Sequence, residues 1–294
     1  GNLYVSGKAH IVLPHYYEIE REMESLLKIG TTGQAIGVAY MFMAGRVGVR
    51  VDDLYDENVL RDRLNHNIEF SNKLLPDGYK IDSEYTISEL LRHAKELGDH
   101  VANTSHLING MLDDGKDVLF ESAQATMLDL VHGTYPHVTS SYPTAGGAAI
   151  GSGVPPTKFR DVIGVVKSYT TRVGAGSFPT AFETEEEIAR INERILHGEK
   201  EILTEDDITA MRRGDRQAMG KYMRVTAGEY GASTGRPRAC GWLDLVVLNY
   251  AIKINGISKL ALTRLDTLEG INPVMVATAY DIDGKVVDKN SPFP

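Results

Sequence analysis

Apolar residues recur at helical spacing over several long stretches of this chain and at strand spacing over a few short ones. Residues 15–29 interleave charges with apolar side chains three and four apart, which predicts a helix stopped by Gly30. The same reasoning predicts amphipathic helices over 57–75 and 86–97, and a shorter one over 105–112. Val118-Leu119-Phe120 reads as a short apolar strand ended by a polar turn. Residues 161–171 (DVIGVVKSYTT) and 259–265 (KLALTRL) read as strands. Residues 275–281 (MVATAYD) alternate and run into Asp283-Gly284, a hairpin signal. Residues 242–257 read as a helix.

Residues 183–225 differ in character: they are charged, helix-prone and free of proline. They predict a helical surface excursion of two or three short helices. No internal repeat is visible and no linker divides the chain. The pattern as a whole predicts one α/β domain over 1–294, with a central, mostly parallel sheet flanked by helices.

Composition narrows the function classes. Hydrophobic residues make up 42% and charged residues 24% of 294 residues, as in soluble globular proteins. No run of about eighteen apolar residues suits a membrane span, and the first residues lack a signal peptide's basic start. Gly1 in place of Met marks a processed terminus or the edge of a longer polypeptide. Cys240 is the only cysteine, which rules out an internal disulfide and favours a reducing, cytoplasmic setting. A net charge of −9 argues against a nucleic-acid partner. Asn103-Thr104-Ser105 matches a glycosylation sequon, with nothing else to suggest secretion.

Common nucleotide motifs are missing. There is no Gly-Lys-Ser/Thr phosphate loop, and Gly30, Gly33 and Gly37 do not have dinucleotide-fold spacing. No HExxH pair occurs. His132 and His137 with Asp129 offer metal-ligand chemistry, although loop histidines held by backbone partners are the preferred reading. Cys240 reads as a small packed residue rather than a nucleophile.

Four loops of small and hydroxylated residues remain: GTTGQAIGVAY (30–40), ESAQATMLDLVHGTYPHVTSSYPTAGG (121–147), TTRVGAGSFPT (170–180) and ASTGRPR (232–238). Backbone N–H groups and arginine donors suit phosphate and carboxylate, so together the loops predict a small polyanionic ligand.

These strings, with TRLDTLEG (263–270), resemble the adenylosuccinate synthetase family and stand in that family's order. The family has GTTGRGIGPAY and TKLDVLDG at the corresponding places. The resemblance runs nearly the whole length except over 183–225, which is longer than usual. It implies a GTP-dependent ligase that joins IMP to L-aspartate in purine biosynthesis. The purine 6-oxygen is first phosphorylated, and the aspartate amine then displaces that phosphate. Thr32, Gln124 and Thr139 would hold IMP through hydroxyl and amide groups. Val173 would touch its ribose, and Arg46 would reach its phosphate from the neighbouring subunit of a homodimer. Ala232, Ser233, Thr234, Gly235 and Arg236 would form the aspartate loop, Arg236 also serving IMP, with Arg238 turned toward GTP. Arg264, Leu265 and Asp266 would face the guanine base.

The family's GDEGKGK-type phosphate loop, with its catalytic Asp and Mg²⁺ site, the catalytic His after it and the C-terminal part of the guanine site are not in this sequence. The chain therefore resembles the middle of the enzyme. No catalytic residue or metal ligand is assigned to it, Mg²⁺ is expected for the complete enzyme only, and this chain alone is expected to be inactive. Gln34 stands where the family usually has Arg, Ser122 and Ala125 replace glycines, Tyr142 replaces Asn, and Arg264 replaces Lys. Two alternatives follow: a non-catalytic nucleotide-binding or dimerising module of the same fold, and a purine ligase with altered substrates.

Overall fold

The protein is described from a computed structural model, over residues 2–232 and 234–291. It forms two compact units, Gly1–Phe159 and Arg160–Pro294, each taken by itself below.

The first unit is mainly helical. Strands β1 (Val5–Ser6) and β2 (Val101–Ala102) pair in parallel. The helices are α1 (Tyr16–Leu27), α2 (Ile36–Ala44), α3 (Glu57–Ser71), α4 (Ser83–Leu97), α5 (Thr104–Asp113) and α6 (Ala145–Ser152). Their starts are chemically marked. The Asp56 carboxylate accepts from the N–H groups of Asn58 and Val59, and Asp82 from that of Tyr85, satisfying donors that the first turn leaves open. Leu60 and Leu64 of α3 and Ile87, Leu90 and Ala94 of α4 close over Leu13, Tyr16, Ile19, Val38 and Phe42. A polar group interrupts this core: Asn67 bonds His15 Nε2 at 2.9 Å, the Tyr16 hydroxyl at 2.6 Å and the Val47 carbonyl at 2.8 Å. Being fully bonded, it is tolerated in an apolar setting.

Residues 118–120 form no strand, contrary to the sequence expectation. Three apolar residues cannot make a strand without a neighbour to bond, and none is provided. Leu119 is 86% exposed, while Phe120 packs on Phe159 with ring centroids 4.8 Å apart.

The second unit carries most of the sheet structure. The run 161–171 does not form one strand but two, β3 (Ile163–Lys167) and β4 (Tyr169–Arg172), serving different sheets. The break is at Ser168, whose N–H donates to the Thr263 carbonyl (2.9 Å) and whose hydroxyl donates to the Arg264 carbonyl (2.8 Å). Three helices follow: α7 (Glu185–Leu196), α8 (Glu205–Arg212) and α9 (Arg216–Ala227). Thr184 with Glu187 and Thr204 with Asp207 make reciprocal caps for the first two. Strand β5 (Ala239–Asp244) pairs antiparallel with β4. Helix α10 (Leu245–Asn255) comes next, then β6 (Lys259–Thr263) parallel to β3 and β7 (Val276–Ala277) parallel to β5. Strands β8 (Ala279–Ile282) and β9 (Lys285–Asp288) form a hairpin. Its turn residues Asp283 and Gly284 both have positive φ, as a two-residue hairpin loop needs.

The expected helix over 242–257 is therefore a strand as far as Asp244 and a helix from Leu245. Asp244 makes the change. Its carboxylate accepts from the N–H groups of Val246 (3.0 Å) and Val247 (3.1 Å) and so caps α10. Tyr169, Phe182, Met211, Met219, Met223, Cys240 and Ile271 form the core. Gly241 is required here, because a Cβ would lie 2.2 Å from the Thr180 carbonyl oxygen. The parallel pairs, with helices between their strands, place the chain in the α/β class.

Candidate functional site

In the first unit, three of the predicted loops meet. Gly30 and Ala35 N–H groups are held by the Glu24 and Glu20 carboxylates at 2.6 and 2.8 Å, which shapes the loop leading into α2. Thr32 and Gln34 are exposed on that loop. A Cβ on Gly37 would sit 3.0 Å from Ser140 Oγ, so the start of α2 lies directly against the segment that carries Thr139. Thr139 N–H donates to the Leu128 carbonyl (2.8 Å), and its hydroxyl pairs with Ser141 (3.2 Å). The Ser122 hydroxyl reaches the Pro143 carbonyl (3.0 Å), which brings the Gln124 loop alongside Tyr142. Thr32, Gln124 and Thr139 thus belong to neighbouring loops of one surface.

Asp129 stabilises this surface from beneath. Its buried carboxylate accepts from the N–H groups of Val131 (2.9 Å) and His132 (3.0 Å) and from the Thr144 hydroxyl (3.0 Å). Burial alone would raise its pKa, but these bonds outweigh burial and hold it below the ordinary carboxylate value. Both oxygens are engaged, so Asp129 does not join His132 and His137 as a metal ligand. Among the described residues no group of three or more His, Cys, Asp or Glu side chains could hold a metal ion.

Arg46 is at the other end of α2. Nine helical residues, a span of roughly 13 Å, separate it along α2 from the Thr32 loop. It lies beside a cleft lined by Val47, Arg63, His66, Phe70 and Lys73.

In the second unit the loop after α9 is closed by a short ladder. Gly231 N–H donates to the Arg236 carbonyl (2.8 Å), Arg238 N–H to the Glu229 carbonyl (3.0 Å), and Tyr230 bridges Pro237. Within it, Gly235 N–H reaches the Gly231 carbonyl (2.8 Å), Gly235 takes φ +65°, and the Thr234 hydroxyl accepts from Arg236 N–H (3.3 Å). Ala232 and Gly235 are exposed, and Arg236 is half-buried. Ser233 lies outside the described residues.

Glu229 organises the base of this loop. Its buried carboxylate binds Lys167 Nζ (2.6 Å), the Tyr169 hydroxyl (2.6 Å) and Arg238 Nη1 (2.8 Å). Burial opposes its charge, but the two cations and the phenol prevail, so it titrates below the ordinary value. Burial and the bond to this carboxylate push the Tyr169 hydroxyl up. Sequence reasoning missed Glu229 and Lys167, although an acidic residue nine positions before Arg238 was a visible signal.

Val173 is half-buried where β4 opens into a loop. There Arg172 grips the Ala175 carbonyl, Gly174 and Gly176 take positive φ, and Gly176 N–H meets Glu185 (3.1 Å). Arg264, Leu265 and Asp266 are all exposed at the end of β6, the last two in a single 3₁₀ turn.

Six non-glycine residues among those described adopt left-handed backbone, and three of them are Arg46, Gln124 and Arg264. Such conformations cost about 1–3 kcal/mol each and collect at binding sites.

A family model for adenylosuccinate synthetase matches residues 1–294. The chain belongs to the adenylosuccinate synthetase family. It is 44% identical over 288 residues to the adenylosuccinate synthetase of Bifidobacterium animalis subsp. lactis, covering 96% of this chain and 60% of that protein. With the Streptomyces coelicolor enzyme it shares 43% identity over 293 residues, covering 98% of this chain and 61% of the relative. The fold matches the fully ligated adenylosuccinate synthetase from Plasmodium falciparum with a TM-score of 0.79 and 32% identity, covering 99% of this chain and 62% of that one. The chain thus spans about three-fifths of the length of these relatives.

Proposed function

We propose that this chain supplies the IMP, aspartate and guanine contacts of a GTP-dependent ligase that forms adenylosuccinate. Family membership along all 294 residues supports an enzyme rather than a binding or dimerising module. The observation that carries the residue roles is the left-handed backbone at Arg46, Gln124 and Arg264. Strain of this kind is kept where a side chain must point in one direction.

On this reading Thr32, Gln124 and Thr139 donate to IMP from neighbouring loops, and Val173 contacts its ribose. Arg46, after the far end of α2, serves the IMP phosphate of a second copy in a homodimer. Ala232, Ser233, Thr234 and Gly235 serve aspartate, with Arg236 on the substrate carboxylate and also on IMP. Arg238 is aimed toward GTP by its ion pair with Glu229. Arg264, Leu265 and Asp266 border the guanine, where a carboxylate accepts from the ring N–H and the amino group.

These groups bind and orient; positioning carries much of the rate in phosphoryl transfer. The described residues do not fit a Mg²⁺ site, since Asp129 is saturated and no acidic cluster is assembled. A metal would be held by parts of the enzyme outside this chain, and no step is assigned to it. A cytoplasmic location accords with a single buried cysteine.

The test is production of adenylosuccinate by the full-length gene product from IMP, L-aspartate and GTP. Turnover with all three, lost when any one is omitted, is expected. Activity with another amino acid or another purine nucleotide in place of these would overturn the assignment and favour a ligase with altered substrates.

A further inference from the structure

The charged helical excursion over 183–225, which the family model covers along with the rest of the chain, makes an unusual contact. Glu201, between α7 and α8, forms a two-point pair with Arg224 of α9, Oε2 to Nε at 2.9 Å and Oε1 to Nη2 at 3.0 Å. Arg224 is 1% exposed and is also bonded to Glu183. Glu183 comes this close because Gly220 has no side chain: a Cβ there would fall 2.0 Å from Glu183 Oε1. The same Oε2 of Glu201 accepts a third bond, 2.9 Å from the Tyr230 hydroxyl.

Tyr230 is the residue on which the loop 231–236 closes. Its backbone bridges Pro237, and its neighbours Glu229 and Gly231 make the two ladder bonds to Arg238 and Arg236. The loop base is therefore gripped from two directions. Glu229 ties one side to Lys167 and Tyr169 of the sheet, and Tyr230 ties the other to the charged excursion.

We infer that Glu201 is a positioning residue for the loop 231–236: through the Tyr230 hydroxyl it fixes the angle at which Arg236 is presented. This rests on the reading of that loop as the aspartate site. An arginine bound by carboxylates on two sides is rigid, and a phenol anchored to such a pair inherits that rigidity. The excursion is then a brace for the amino-acid pocket and touches no substrate itself.

Two variants test this, Glu201→Gln and Tyr230→Phe. The second removes one oxygen and keeps Arg224 paired, so it remains informative if Glu201→Gln folds poorly. Hydrogen exchange is measured on this chain first. Tyr230→Phe is expected to speed exchange at Gly231 and Gly235 about tenfold while leaving Cys240–Leu243 of β5 unchanged. In the full-length enzyme both variants are expected to raise the aspartate KM about five- to tenfold, with kcat and the KM for GTP unchanged. The double variant is expected to add little to either alone. Unchanged exchange in Tyr230→Phe, or an equal loss in every kinetic constant, would overturn the brace. Arg236→Leu is the control. If it raises the aspartate KM and Tyr230→Phe does not, the brace fails. If Arg236→Leu itself spares aspartate, the assignment of the loop to aspartate fails instead.

Discussion

Arg238 Nη1 lies 2.8 Å from Glu229 Oε2, and that carboxylate is only 2% exposed. The guanidinium two residues earlier, Arg236, belongs to the same loop but not to this pair. The two arginines therefore differ in what their loss should do. Arg236→Leu is expected to raise the aspartate KM about 10- to 150-fold, the cost of one charge-assisted hydrogen-bonding group. Arg238→Leu is expected to weaken GTP and also to lower the melting temperature, because Glu229 loses one of its cations. Steady-state kinetics of both variants and a thermal melt of Arg238→Leu check this; an unchanged melt in Arg238→Leu would contradict it.

Glu229 itself should leave a pH signature. Its folded-state pKa is depressed, so the stability it contributes is complete above the ordinary value of 4.5 and is lost as pH falls through the lower folded value. Glu229→Gln is expected to cost roughly 3 kcal/mol near neutral pH, since Lys167 and Arg238 lose their shared counter-charge. The gap between wild type and variant should close as the pH is lowered below 4.5. Urea titrations across that range measure it, and a constant gap would refute the ion-pair account.

Asp266 is exposed at the end of β6, and no hydrogen bond or ion pair from another described residue competes for its carboxylate. A site that pairs with the guanine edge rejects adenine by leaving its own polar groups unsatisfied. Asp266→Ala should raise the KM for GTP by at least about tenfold and narrow the preference over ATP. Unchanged KM values for both nucleotides would remove Asp266 from the base site.

Arg46 has left-handed backbone at φ +63°, with its own N–H on the Met43 carbonyl (3.0 Å) and that of Val47 on the Phe42 carbonyl (3.1 Å). Arg46→Leu should leave the fold intact, weaken IMP, and abolish any shift toward dimer on adding IMP. Sedimentation velocity of the full-length enzyme with and without IMP is the measurement. A strictly monomeric enzyme whose variant binds IMP normally would rule out a shared site.

Cys240 is buried, and burial pushes its thiol well above the ordinary value. Iodoacetamide at neutral pH should leave it unmodified in the folded chain and label it completely in denaturant, as intact mass will report.

Helix existence was more legible than helix limits: the expected stretches 57–75 and 105–112 hold α3 and α5, but α4 starts at Ser83, three residues ahead of the expected start, where the Asp82 carboxylate caps it. The β5–α10 junction was misread because Leu243 and Leu245 make a nearly continuous apolar run across Asp244, and only the capping geometry divides it. The break at Ser168 had no local signal either, since its partners are nearly a hundred residues away. The same holds for the site. The small-residue loops and their arginines were visible as anion-binding chemistry. Glu229 and Glu201 were not, because they acquire meaning only from Lys167, 62 residues away, and Arg224, 23 residues away.

Ser168 also joins what would otherwise be separate inventions. Strand alternation turns its neighbours Lys167 and Tyr169 toward Glu229, at the root of the proposed amino-acid loop, while its own hydroxyl holds the Arg264 carbonyl beside the proposed base site. A mutation that reshapes the turn at Arg264 pulls on Ser168, which lies between two of the residues that seat Glu229. On the proposed assignments, a change beside the base site is felt at the root of the amino-acid pocket.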